Sequence, residues 1–215
     1  MITSLSDNDI QWLKDLWDRN EKVPYTTGGK NIVVGELITT IFNPELKEFV
    51  KDRFEIAGPV GGQFAKLDRP LGIHVDVLYD LKIRHFTRDG PARTQYVVVD
   101  TDATAPMYTI LFKETVDYTV WSGFKDIVGG TYPDGNSAII DYDESRPTVR
   151  EQFFDHQIDH YPPRFRDLHL SFERTIPLTI GEVVSWNSAQ FHSGCSFSES
   201  KSTYKLHLTV ISPDG

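Results

Sequence analysis

A chain of 215 residues and 24.5 kDa is sized for one domain with a small elaboration. With 39% hydrophobic and 25% charged residues it can bury a core, which excludes a disordered tail. Lys+Arg number 22 against 31 Asp+Glu, a net charge of −9, and this excludes a broad duplex-nucleic-acid surface, which needs a basic footprint to displace counterions.

Two helices are expected early in the chain. Ser6 with Asp9 three positions on is a capping signature, and Ile10, Leu13, Leu16 and Trp17 fall on one helical face. Asn43 before Pro44 marks a second start, followed by Leu46, Phe49 and Val50 as a buried stripe. Residues 31–42 are apolar and read equally as helix or strand. Residues 1–60 are therefore expected to form a helical support. From about residue 62 the texture changes to short runs rich in Val, Ile, Tyr, Phe and Thr at 71–78, 95–100, 107–113, 167–175, 181–187 and 203–212, separated by turn signals. Twelve prolines and fifteen glycines suit this pattern. The expected fold is mainly β, an antiparallel sandwich or jelly roll over 62–212 with the N-terminal helices packed outside it, all in one domain spanning 1–215. Residues 117–165 read as a lid-like insertion with a short helix near 148–159.

The residues able to do chemistry lie near the two ends of this β region. In H-V-D, His74 and Asp76 are two apart, so a strand sends both side chains to the same face. Alone the pattern is common and fits a surface histidine beside a solvated carboxylate. The C-terminal segment adds weight. The strand G-E-V-V-S-W is followed by His192 in F-H-S-G, and then by the last strand, T-Y-K-L-H-L-T-V-I. Its alternation places Lys205, His207 and Thr209 on one face and Tyr204, Leu206, Leu208 and Val210 on the other. If the N-terminal helices cover the apolar face, the polar face looks into a cavity. Two imidazoles and one carboxylate on one side of a metal leave three coordination positions open, the donor set of non-haem Fe(II) oxygenases. A lysine thirteen residues beyond His192 could supply a point charge for an anionic co-substrate.

Through H-V-D, G-E-V-V-S-W…F-H-S-G and the K-L-H-L-T-V strand, the chain resembles the 2-oxoglutarate/Fe(II)-dependent oxygenase superfamily, nearest to small phytanoyl-CoA/prolyl-hydroxylase-like members of bacterial or phage type. The resemblance covers roughly 62–212 and implies a double-stranded β-helix. It implies that His74, Asp76 and His192 ligate iron and that Lys205 binds the 5-carboxylate of 2-oxoglutarate. Where the family often has Arg-x-Ser, this chain has Lys205 and His207, which leaves His207 as a candidate to replace the serine contact to the co-substrate. Tyr108 is carried over as a residue lining the same cavity, and Lys113 is a rival anchor for the acid. The implied cofactors are Fe(II), 2-oxoglutarate as co-substrate and O2, with ascorbate as a supporting reductant. The implied activity is hydroxylation of a small molecule or a protein side chain, releasing succinate and CO2. Trp186 and Phe191 are candidate walls of the O2 site, or plain core.

Other constellations compete. H-Q-I-D-H sets His156 and His160 at helical spacing, but Gln157 stands where a zinc protease needs its glutamate. Lys82, Arg84, His85, Arg88 and Arg93 form a basic stretch that reads as an anion grip or a solvated hairpin. The single cysteine, Cys195, excludes an internal disulfide framework. No apolar run approaches the roughly 18 residues of a membrane span, and the N-terminus lacks a signal pattern, so a soluble cytoplasmic protein without a membrane partner is expected. Two further readings stay open: a non-catalytic jelly-roll module holding a small ligand or ion, and a cupin-type metalloenzyme. Asp76 in place of a second histidine counts against the latter.

Overall fold

A computed structural model describes residues 2–27, 32–76, 92–115, 145, 147–153, 157 and 169–213. Helix α1 (Asp7–Arg19) begins with a reciprocal cap: the Asp9 N–H donates to Ser6 Oγ at 3.2 Å, and the Ser6 N–H donates to Asp9 Oδ2 at 3.1 Å. Helix α2 (Pro44–Arg53) starts at Asn43, whose side-chain oxygen accepts from the Leu46 N–H at 2.8 Å. Proline at the first helical position loses no hydrogen bond there. Both caps lie where the sequence puts them.

The stretch between these helices is not helical. It forms β1 (Val23–Thr27) and β2 (Ile32–Thr39), an antiparallel pair, so the ambiguous run at 31–42 resolves as strand. At Gly35 the backbone takes φ +152°, and a Cβ built there would lie 2.0 Å from the Lys66 carbonyl oxygen. Only glycine admits so close an approach by the neighbouring strand.

The remaining strands are β3 (Gly61–Leu67), β4 (Ala92–Thr101), β5 (Met107–Thr115), β6 (Phe172–Leu178), β7 (Val183–Asn187), β8 (Gln190–Gly194) and β9 (Lys205–Pro213). One-turn helices α3 (Val149–Gln152) and α4 (Phe197–Ser200) accompany them. The strands form a six-stranded sheet in the order β1-β2-β3-β9-β4-β7 and a three-stranded sheet in the order β6-β5-β8. Every pairing between these strands is antiparallel. The fold is thus mainly β, with α1 and α2 flanking the larger sheet.

Several boundaries differ from the sequence reading. The expected strand at 71–78 is, within its described part, an extended segment joined by a single bridge, His74 to His192. The strand expected at 167–175 runs from Phe172 to Leu178. Of the helix expected near 148–159, the described part shows a four-residue turn ending before Phe153, which is extended, while 154–156, 158 and 159 lie outside the described residues. Most of 117–165 lies outside the described residues.

Core packing explains the position of β9. Leu206, Leu208 and Val210 join Phe64, Val97 and Val99 of the adjoining strands against Leu13, Leu16, Trp17, Leu46 and Val50 of the helices. Trp17 meets Phe64 edge-on at 5.4 Å between ring centres. Each such fully buried side chain contributes roughly 1.5–3 kcal/mol through removal of apolar surface from water. Because side chains alternate, a one-residue slip of β9 would turn this row away from the helices and set Lys205 and His207 against their apolar side chains, so the register is strongly fixed. That register sets Lys205 beside Leu67 and Thr101, and His207 beside Ala65 and Val98. The opposite face of the large sheet is lined by Tyr96, Val98 and Trp186, which pack on Met107 and Leu111 of β5 and on Cys195.

Candidate metal centre

The extended segment carrying His74 and Asp76 is fastened to the smaller sheet by its backbone. The His74 N–H donates to the His192 carbonyl at 2.9 Å, the His192 N–H donates back at 2.8 Å, and the Asp76 N–H donates to the Ser188 carbonyl at 3.0 Å. Side chains far apart in the chain are thereby brought together. His74, Asp76 and His192 each present a ligand atom, and these atoms all lie within 4.8 Å of one another. Among the described residues this is the one such cluster. His74 and His192 are 8% and 4% exposed. Their rings lie 4.2 Å apart, and both approach Asp76: His192 Nε2 is 3.3 Å from Oδ2, and His74 Nε2 is 3.8 Å from Oδ1.

The backbone also selects the tautomers. Nδ1 of His74 lies 2.7 Å from the Gly72 carbonyl oxygen, and Nδ1 of His192 lies 2.9 Å from that of Gln190. A carbonyl only accepts, so each Nδ1 carries a proton, and in the neutral ring Nε2 is left with its lone pair facing Asp76. Metal-binding imidazoles are oriented in this way by the hydrogen bond of the other nitrogen. Asp76 is fixed as well: Oδ2 accepts from Thr94 Oγ1 at 2.7 Å and from Trp186 Nε1 at 3.0 Å.

Charge states follow from burial and these neighbours. Burial pushes His74 down to about 4, helped by the positive charge of His192, although Asp76 acts the other way. Burial also pulls His192 down, but the Asp76 carboxylate outweighs it by charge and by hydrogen bond, and the net shift is upward. Burial would raise Asp76, yet His192, His74 and the Thr94 hydroxyl hold it well below the usual carboxylate range. The cluster is therefore an ionised carboxylate with one neutral and one readily protonated imidazole. Two nitrogen lone pairs and a carboxylate suit a divalent transition ion, and the donor set fits iron.

Lys205 and His207 of β9 are 6% and 4% exposed, on the sheet face opposite the helices. The Lys205 ammonium reaches towards β8, where a Cβ built on Gly194 would lie 3.7 Å from Nζ, and it stands 5.3 Å from the centre of the Tyr96 ring. Among the described residues no carboxylate pairs with it, and burial lowers its pKa. His207 stacks on Tyr96 at 4.8 Å. Its Nδ1 and the Tyr96 hydroxyl are buried without a hydrogen-bond partner among the described residues. Burial, then the charge of Lys205, keeps His207 well below the usual imidazole range, while burial pushes the Tyr96 phenol up.

Other sequence candidates fall elsewhere. The Tyr108 hydroxyl donates to Glu199 of α4, and strand alternation turns this side chain away from the face carrying Thr109 and Leu111, which sit opposite Gly194 and His192. Lys113 is exposed. Phe191 is fully buried, and Trp186, expected as a wall, also serves as a hydrogen-bond donor. His156, His160, Lys82, Arg84, His85 and Arg88 lie outside the described residues, while Arg93 lies on β4. Thr94, Tyr96 and the carbonyls of Gly72 and Gln190 were not singled out by the sequence. Among the described residues no helix is long and apolar enough to cross a membrane.

The fold and the cluster together define a mainly antiparallel β protein with a buried two-histidine, one-carboxylate centre. No protein-family model matches the chain, and neither does any curated protein. Among solved structures it is similar to the non-heme alpha ketoglutarate dependent epimerase SnoN from nogalamycin biosynthesis, at 12% identity over 97% of this chain and 75% of that one, with a TM-score of 0.49. It is also similar to HygX from Streptomyces hygroscopicus with nickel and 2-oxoglutarate bound (12% identity, 99% and 81% covered, TM-score 0.49). A third is EvdO2 from Micromonospora carbonacea var. aurantiaca complexed with 2-oxoglutarate (12% identity, 97% and 83% covered, TM-score 0.47). At such identities and scores, what this chain does has to be read from its own residues.

Proposed function

We propose that this chain is an Fe(II)/2-oxoglutarate-dependent enzyme of the double-stranded β-helix kind, with His74, Asp76 and His192 as iron ligands and Lys205 as the anchor for the distal carboxylate of the oxo acid. The observation that carries this reading is a three-donor cluster and a buried cation without a carboxylate partner among the described residues, both on the inner side of the same two sheets. An unpaired ammonium is costly to bury, and an anionic ligand that enters beside it removes that cost. Lys205 is buried where Lys113 is exposed, which favours Lys205 of the two candidate anchors.

The chain's own residues do three things. The carbonyls of Gly72 and Gln190 keep both Nε2 atoms free of protons in the neutral rings. His192 gives up its proton when a cation takes its place beside Asp76, so the site accepts a metal by proton exchange. His207 and Tyr96, both uncharged, line the approach to Lys205 and leave its ammonium as the local positive charge. Iron with 2-oxoglutarate supplies the oxidising power, consuming O2 and releasing succinate and CO2. The substrate is proposed to be a small molecule or a protein side chain, the simplest outcome being hydroxylation.

Anaerobic titration with Fe(II) and then 2-oxoglutarate tests the reading. The expected result is the weak visible charge-transfer band of the chelate, lost in His74→Ala. Binding of neither component, with no succinate formed in air with ascorbate, would leave a non-catalytic binding module instead.

A further inference from the structure

We infer that Thr94 and Trp186 are positioning residues that make Asp76 a single-oxygen ligand, offering Oδ1 to the ion and withholding Oδ2. The inference rests on the metal reading above and adds to it the atom through which the carboxylate binds. Thr94 on β4 and Trp186 on β7 are directly paired across the two strands, so both donors come from one rung of the large sheet. Thr94 is fully buried and Trp186 is 6% exposed, which denies either donor a replacement partner from bulk water. Both aim at the same atom, Oδ2, at 2.7 and 3.0 Å. A carboxylate oxygen has two in-plane lone pairs, and two donors engage both. Oδ2 also lies 3.3 Å from His192 Nε2, an approach that ends once that nitrogen turns to a cation. Oδ1, 3.8 Å from His74 Nε2, accepts no hydrogen bond among the described residues.

The consequence is a count of positions. A carboxylate that binds through both oxygens takes two sites on a six-coordinate ion, and with two imidazoles that leaves two. Bound through Oδ1 alone it leaves three, the number that a chelating oxo acid and O2 together require. The sheet therefore sets the number of open positions through two hydrogen bonds to an atom that does not touch the ion.

Thr94→Val removes the hydroxyl while keeping the shape and the strand preference, and Trp186→Phe removes the N–H. Titration calorimetry with Co(II) alone should show affinity falling about 10- to 100-fold in Thr94→Val and in Trp186→Phe, with Thr94→Ser within a few-fold of the parent. At saturating Fe(II), the charge-transfer band with 2-oxoglutarate should weaken in Thr94→Val and return in Thr94→Ser, a change that a purely structural threonine would not cause. Parent-like Co(II) affinity and an unchanged band in Thr94→Val would overturn the inference. If instead the parent and His74→Ala bind Co(II) alike, the metal reading itself fails, and this result is distinguishable from the first.

Discussion

Replacing Lys205 with methionine should push stability and ligand binding in opposite directions. In the apo protein Lys205 is 6% exposed and has no carboxylate partner among the described residues, so folding removes a charge from water without compensation. Methionine has similar length and no charge, and it packs adaptably beside Gly194 and Tyr96. The apo protein should therefore gain about 1–3 kcal/mol. For a chain of 215 residues this raises the melting temperature by roughly 2–4 °C per kcal/mol. The gain has a pH signature. The folded-state pKa of Lys205 lies below its unfolded value, so the parent becomes more stable as pH rises through the interval between the two. Lys205→Met lacks that alkaline increment.

Binding should move the other way. A charge-assisted hydrogen bond contributes about 1.5–3 kcal/mol, which is roughly a tenfold to hundredfold loss of 2-oxoglutarate affinity for the metal-loaded variant. Denaturation of the apo proteins between pH 7 and 10, with calorimetry of 2-oxoglutarate on the Ni(II)-loaded forms, measures both. A variant that is less stable by more than 1 kcal/mol and binds the oxo acid as well as the parent would refute the reasoning, because it would show a lysine already paired within the fold.

Two further outcomes follow from the same structure. Between about pH 6.5 and 4 an unfolded chain protonates all three inner histidines, whereas the folded apo protein keeps His74 and His207 neutral and allows a proton only on His192. The unfolded state then holds two more protons, so stability should fall as pH falls across that window by at most about 2.7 kcal/mol per unit; urea titrations at pH 7, 6 and 5 check this, and a flat profile would contradict the burial of these rings. Gly35→Ala should cost about 2–4 kcal/mol, because its Cβ would lie 2.0 Å from the Lys66 carbonyl oxygen at a φ of +152°; a loss under 1 kcal/mol would mean that β2 and β3 separate freely.

What could be read from the sequence was what is encoded locally. Ser6 with Asp9 and Asn43 with Pro44 mark helix starts because a cap is made by residues within four positions of each other. The alternation of β9 was readable because Leu206, Leu208 and Val210 fall on one face while the other carries a lysine and a histidine. By contrast, G-G-Q-F-A-K-L has weak strand propensity and becomes β3 because β2 and β9 pair with both its edges. The run H-V-D-V-L-Y-D looks like a strand, yet its described part is bridged only at His74. The pairing of His74 with Asp76 was foreseeable from their spacing, and His192 joined them through the family resemblance. The atoms that orient them were not: two are backbone carbonyls, which leave no mark in a sequence, and Thr94 sits in an ordinary-looking strand.

The site's supports are unequal, and that bears on how it works. β9 is hydrogen-bonded along both edges, so Lys205 and His207 project from a backbone held on two sides. His192 stands on β8, within the smaller sheet. His74 and Asp76 stand on a segment whose described residues no full ladder holds. Its described backbone is tied to β8 by the reciprocal His74–His192 bonds and to Ser188 through Asp76, while Thr94 and Trp186 fasten the Asp76 side chain to the larger sheet. A cation shared by His74, Asp76 and His192 would therefore act as a cross-link between this segment and the two sheets, and its binding energy would add to folding energy where the described backbone has a single bridge. Lys205, the proposed anion anchor, needs no such help, since its strand is fixed by the aliphatic row on the reverse face.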